Sequence, residues 1–369
     1  MNTPQSTSTN WKQIYSLMAL NAAIVLSWIA YHNYQPKVLE IFHFQELSFF
    51  LVIAQALILV FIPPLAGIIA DRVIQSGGNR FVVFTVGISV TAMVFMCVAF
   101  TIGTATTINL TSALPFMIVV WLISMNIFHS PANSMLELFA PAKELPAAMA
   151  MMVITTELLY AFEPLIVGFV DTIGPVPTFA LGGVLLIVTG YFFKTNTRSL
   201  SLVREYHESK NTRTDFFLVL AAGLVLGLAT ALFKNYLPQK MENVFEAMRH
   251  DGIQIAISGS MVISFGLVVA ALAAWPFSKL VDRIGTEKSL QYGLAGAFIV
   301  LLPSFFIGNV YALIMITLLT APFISYATVA GFPYALGKLS AKNVTLGAGI
   351  FFGSVELADG IMNIWINKP

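Results

Sequence analysis

The feature that most limits what this chain can become is a recurrence of apolar runs of about 20 residues, each closed by a short polar break. A helix of that length crosses the hydrocarbon core of a bilayer, roughly 30 Å thick. Barrel strands would instead alternate in segments of about ten residues, a pattern this sequence lacks. Reading from break to break gives eleven spans, near 11–35, 47–70, 81–103, 113–138, 147–170, 176–193, 216–239, 253–278, 289–307, 310–337 and 344–366. Composition agrees with a lipid solvent: 57% of the 369 residues are hydrophobic and 10% charged, against about 25% charged in soluble domains. Net charge is +1 with no basic block, which excludes the electrostatic footprint of a nucleic-acid binder. The one cysteine, Cys97, sits in an apolar run, so neither an intrachain disulfide framework nor a zinc site of cysteine pairs is expected. The opening MNTPQSTSTN is polar, uncharged and not followed by a small-residue cleavage site, so the first run reads as a retained span.

Lys and Arg accumulate on the cytoplasmic side of membrane proteins. Of the 19 basic residues, 14 fall on the side of the N-terminus, and five (Lys37, Lys234, Lys240, Arg249 and Lys368) fall on the other. The N-terminus is therefore expected in the cytoplasm and the chain in a plasma or inner membrane. The longest polar stretch, 195–214, reads as a cytoplasmic linker. It divides the sequence into a six-span bundle, 1–194, and a five-span bundle, 215–369.

The two halves share landmarks. Tyr34-Gln-Pro36 recurs as Tyr236-Leu-Pro238, 202 positions later, and Asp71-Arg72 as Asp282-Arg283, 211 later. Pro131 has Pro333 at an offset of 202, while Ala142-Lys143 and Glu157 match Ala341-Lys342 and Glu356, each 199 later. Conserved order at a near-constant offset marks a duplicated unit.

With its Gly67-Ile-Ile-Ala-Asp71-Arg72 turn between spans 2 and 3, the sequence resembles the major facilitator superfamily, whose fingerprint there is Gly-x-x-x-Asp-Arg. The counterpart Ser278-Lys-Leu-Val-Asp282-Arg283 has serine in place of the glycine, and Arg80 is the nearest stand-in for the basic residues that usually follow the first copy. The resemblance implies an all-α membrane protein of two bundles that works by alternating access; from the family's twelve spans the count here departs, with six plus five and the twelfth missing before Pro369, as either a truncated sequence or a true eleven-span protein would give. It also implies a conformational latch made of Gly67, Asp71, Arg72, Asp282 and Arg283, with spans 5 and 11 bordering a central cavity. Ser130-Pro131-Ala132-Asn133 and Phe332-Pro333-Tyr334-Ala335-Leu336 are somewhat similar to sucrose/proton symporters and related glycoside carriers. A sugar is thus one candidate solute, although the aspartates those carriers hold in their first spans have no match. A monomer is expected.

Ionisable groups at mid-bilayer cost several kcal/mol each, so each needs a reason. Glu157 and Glu163 lie in span 5, and Glu356 and Asp359 in span 11, the latter pair about 60° apart around a helix. One reading is proton or cation binding coupled to solute movement, since burial and a nearby charge move a carboxyl group's affinity for protons in opposite senses. The plainer reading is an ion pair or hydrogen bond that staples helices. Pro164 lacks an N–H and is expected to kink span 5. Asn126, His129, Asn133 and Glu137 form one stripe on span 4, and Asn21, Trp28, His32 and Gln35 a second on span 1. Both suit an oriented polar ligand, or interhelical hydrogen bonds. Lys234 is either a charge inside the protein or a lysine that snorkels to the interface.

Gly347-Ala-Gly349-Ile-Phe-Phe-Gly353 departs from dinucleotide-loop spacing and lies inside a span, which favours close helix packing. The sequence has no P-loop, no His-Glu-x-x-His and no Gly-x-Ser-x-Gly, so neither catalysis, nor a metal, nor a cofactor is expected. The expected activity is secondary transport of a small polar solute, coupled to protons. The alternative from another class is a non-transporting assembly factor or receptor on the same scaffold.

Overall fold

The computed structural model describes residues 9–79, 81–105, 110–201, 214–250 and 257–366. Arg80, Lys368 and all but the ends of the expected linker lie outside them. Among the described residues the secondary structure is helical. The elements are α1 (Trp11–Ile41), α2 (Ser48–Gln75), α3 (Phe81–Gly103), α4 (Leu114–Ser134), the single turn α5 (Leu136–Phe139), α6 (Leu145–Ala161), α7 (Glu163–Ile173) and α8 (Pro175–Ser201), followed by α9 (Phe216–Ala231), α10 (Leu237–His250), α11 (Gly259–Ile284), α12 (Thr286–Leu301), α13 (Val310–Gly337) and α14 (Val344–Ile366). A helix satisfies its own backbone, which is what hydrocarbon demands of a spanning segment.

Nine helical segments among the described residues are long and apolar enough to cross a membrane, or ten if α6 and α7 form one span. That pair is bent by 59° at its break, the kink expected from Pro164. The ninth expected span falls on α12, whose 16 residues reach roughly 24 Å, with a 3-10 turn, Leu302–Phe305, after it.

The chain forms two compact units. The first comprises Met1–Pro141, Glu163–Phe216 and Lys338–Gly353; the second comprises Ala142–Phe162, Phe217–Gly337 and Ser354–Pro369. Within the first, α3 packs against α4 and α8, α2 against α4, and α1 against α8. Fully buried phenylalanines fill the centre: Phe84 meets Phe128 edge-on at 6.0 Å and tilts against Phe193 at 5.3 Å. The start of α14 lies against α2, where a Cβ on Gly349 would stand 2.6 Å from the Pro63 carbonyl carbon and 2.7 Å from the Pro64 nitrogen. The glycine-spaced segment is a helix contact, as its place in a span implied. Within the second unit, α11 packs on α6 and α13, and α13 on α12. Phe233, Leu237, Met241, Phe245 and Leu313 form part of its core.

Backbone atoms cannot swing aside as a side chain can, so bulk at Gly349 must push the helices apart. Gly349→Val is expected to destabilise the protein by about 1–3 kcal/mol, read as a lower melting temperature in detergent. Gly168→Ala, where an added Cβ meets nothing within 4 Å, is expected to melt close to wild type.

Candidate functional site

Three of the expected acids fall in the second unit, and two of them are met there by one irregular turn. Between α9 and α10 the chain forms a π-helical turn, Leu232–Tyr236, closed by the Leu237 N–H on the Leu232 carbonyl. Pro238 has no N–H to give the Lys234 carbonyl, and a wider turn is tolerated where the regular ladder is already broken. From this turn Lys234 Nζ donates to Glu157 Oε1 of α6 at 2.9 Å. Its neighbour Asn235 donates from Nδ2 to Asp359 Oδ1 of α14 at 2.7 Å. Successive residues on a helix diverge by about 100°, so one turn reaches two helices.

Glu157 is only 5% exposed, and its second oxygen, Oε2, is buried without a hydrogen-bond partner. The Lys234 ammonium also lies 5.2 Å from the centre of the Tyr160 ring, one turn along α6. Glu356, half-buried and three residues before Asp359, stands within electrostatic range of both Asp359 and Lys234. Lys234 thus departs from snorkelling. A carboxylate already buried gives the ammonium a contact partner in low dielectric, where attraction between opposite charges is strong. Asn235 and Tyr160 went unnoticed in the sequence. The signal was available in the demand that buried acids make for donors.

The remaining candidates belong to the first unit. Asn126, 5% exposed, donates to the Leu122 carbonyl of its own helix at 2.8 Å. The His129 ring lies 5.2 Å from that of Phe352, and Asn133 is buried. Glu137 sits in α5, separated from α4 by Met135 alone, within the same apolar segment Thr111–Phe139. On α1, Asn21 is buried and Gln35 half-buried. Trp28 meets Trp121 edge-on at 5.1 Å and tilts against His32 at 5.5 Å, while His32 is exposed. Glu163, half-buried, opens α7. Among the described residues, no group of three or more His, Cys, Asp or Glu side chains is placed to hold a metal ion.

The Asp-Arg turn explains itself in the first unit. Asp71 accepts the N–H of Thr345 on Oδ1 at 3.2 Å and that of Leu346 on Oδ2 at 2.8 Å. These are amides of the first turn of α14, which have no acceptor within their own helix and carry the positive end of its dipole. Gly67, one turn before Asp71, makes room: a Cβ there would lie 2.6 Å from Leu346 Cα. Ser130 Oγ of α4 donates to the Thr345 carbonyl at 2.9 Å. Arg72 is exposed. The second copy differs, for Asp282 Oδ1 is buried without a hydrogen bond and Ser278, at the place of Gly67, donates back to Trp275 of its own helix. Arg283 is exposed.

A sequence profile described as the Major Facilitator Superfamily matches residues 14–361. No curated protein sequence matches the chain. Among solved structures it is similar to a bacterial homologue of the iron transporter ferroportin in an outward-facing state. The TM-score is 0.71 at 14% identity, over 96% of this chain and 91% of that one. It is also similar to the E. coli fucose:proton symporter, with a TM-score of 0.59 at 15% identity over 94% and 89%. At these identities the likeness is one of fold.

Breaking the Lys234–Glu157 pair from one side strands a charge. Lys234→Met is expected to destabilise the protein by about 1–3 kcal/mol, less than a fully buried pair, because the lysine side chain is 28% exposed. Adding Glu157→Gln removes the stranded charge and is expected to restore most of that loss. A double variant no more stable in thermal melts than Lys234→Met alone would show that the pair is not coupled.

Proposed function

The chain belongs to the Major Facilitator Superfamily, and from that premise we propose that this integral membrane protein is a secondary transporter that moves a small polar solute by alternating access, coupled to protons. The observation that carries the reading is the acid cluster on α6 and α14, which the π turn meets with an ion pair from Lys234 to Glu157 and a hydrogen bond from Asn235 to Asp359. A carboxylate that exchanges an ammonium partner for a proton changes its links to neighbouring helices when it does so, which is what coupling requires. Glu157 and Glu356 are the principal proton carriers in this reading, with Asp359 held by Asn235. The fucose:proton symporter among the similar folds supports a sugar and protons as the first pair to test.

The same proposal takes eleven spans in bundles 1–194 and 215–369 joined by 195–214, a cytoplasmic N-terminus, a plasma or inner membrane, and a monomer. The stripes on α1 and α4, with Glu163, remain its candidates for contacts to the solute. Asp71 serves as the latch. Its two bonds to the first turn of α14 hold in one conformation and part in the other, while Arg72, Asp282 and Arg283 anchor the cytoplasmic ends.

In proteoliposomes an inward proton gradient is expected to drive accumulation of a transported solute, with L-fucose tried first. Glu356→Gln is expected to abolish accumulation while sparing solute exchange. Accumulation that followed sodium and ignored pH would overturn proton coupling. Asp71→Asn weakens a charge-assisted link to a helix start by about 1 kcal/mol. Paired spin labels on α2 and α14 are therefore expected to report about a fivefold change in conformer populations, and unchanged distances would remove the latch.

A further inference from the structure

The π-turn cluster has the composition of an ammonium site, and the ammonium that occupies it belongs to the protein. Lys234 rests on two features that recognise such a cation from any source: the Glu157 carboxylate at 2.9 Å and the Tyr160 ring at 5.2 Å. Cations over aromatic faces are held by the ring quadrupole, more strongly where water is excluded. The site is underfilled as it stands. Glu157, 5% exposed, keeps its Oε2 buried without a partner, so one of its two oxygens remains to accept another N–H.

We propose that the transported solute is a small organic cation with an ammonium group, which displaces Lys234 from Glu157 and takes its place against Tyr160. This inference rests on the transport reading above and names the solute class for the same cluster. The displaced lysine has somewhere to go, because Glu356 on α14 is already within electrostatic range of it. The exchange then needs no ammonium to enter lipid uncompensated. Charge counting points the same way. Glu157, Glu356 and Asp359 carry three negative charges when ionised, against the one positive charge of Lys234, and one solute cation together with one coupling proton would bring these groups to neutrality. A divalent metal fits less well, since the described acids do not converge as a ligand group. An anionic solute would have to approach acids that outnumber their cation.

The probe is n-butylammonium, which is the lysine side chain without its backbone, titrated calorimetrically into the full-length protein in nanodiscs at fixed pH, with butyrate and L-fucose in parallel. Saturable binding of n-butylammonium is expected, and none of butyrate. Glu157→Gln is expected to weaken binding at least tenfold. Tyr160→Leu is expected to weaken it about three- to thirtyfold by removing the aromatic face, whereas Tyr160→Phe, which keeps the face and loses only the hydroxyl, stays within about twofold. That contrast decides the matter if Glu157→Gln fails to fold. Absence of n-butylammonium binding, equal binding by wild type and Glu157→Gln, or equal loss in Tyr160→Leu and Tyr160→Phe would overturn the proposal. Binding that follows the expected pattern without proton movement in proteoliposomes would overturn proton coupling and leave the cation site standing. Proton-driven uptake of a neutral sugar with no n-butylammonium binding would do the reverse.

Discussion

A carboxylate in hydrocarbon cannot solve its own problem. The hydroxyls in these helices do so routinely: Ser27 donates to the Ala23 carbonyl, Thr91 to Gly87, Thr317 to Leu313 and Thr320 to Ile316, each four residues back in the same helix. Asn126 does the same with its amide. An ionised acid has no proton to donate, and every backbone N–H in the middle of a helix is already taken, so its donors must come from elsewhere. In this molecule they come from places where the helical ladder is broken. Asp71 draws on the free amides at the start of α14. Glu157 and Asp359 draw on side chains of a π turn. The irregular points of the backbone and the buried acids belong to one arrangement.

Close approach is the second requirement. Asp71 reaches the α14 amides because Gly67 lets the two backbones meet, and Gly349 continues the contact beside Pro63. Without a hydrophobic force between helices in lipid, such packing and the hydrogen bonds it admits supply much of the association. The Gly-x-x-x-Asp spacing then has a mechanical meaning. Glycine and aspartate four residues apart share a helix face, one opening the seat and the other filling it. The second copy, with Ser278 for the glycine, makes no such bond at Asp282 Oδ1, which is what loss of the seat predicts.

Run length alone located ten of the eleven expected spans, counting the bent α6–α7 pair as one, because bilayer thickness fixes the length of a helix that crosses it, and the bend at Phe162 followed from the missing N–H of Pro164. Asp71 was singled out only through the resemblance, since the helix start that it binds lies 274 positions away. The direction of Lys234 was not readable. Its sequence context, near the end of an apolar run, allows both reaching outward and turning inward, and the choice depends on Glu157, which lies 77 positions away. Asn235 was hidden because a π turn leaves no mark in hydropathy. Periodicity likewise carries no signal of the one-residue interruption at Met135 that sets Glu137, in α5, apart from α4.

The donors also separate two roles. Those of Asp71 are backbone amides, which move only when the first turn of α14 moves, so that contact reports the position of a helix. The donor of Glu157 is a flexible four-carbon chain with a second acid in range, and it can leave without any helix moving first. In the proposed cycle the chemical event, arrival of a cation or a proton, therefore belongs at Glu157, and the mechanical response belongs at Asp71. One helix carries both connections: α14 is held at its start by Asp71 and Ser130, and its later half carries Glu356 and Asp359. In that proposed cycle, altering the charge on that half changes what Asn235 and Lys234 hold, and the amides at the start of the same helix are the ones that the proposed latch at Asp71 keeps or releases.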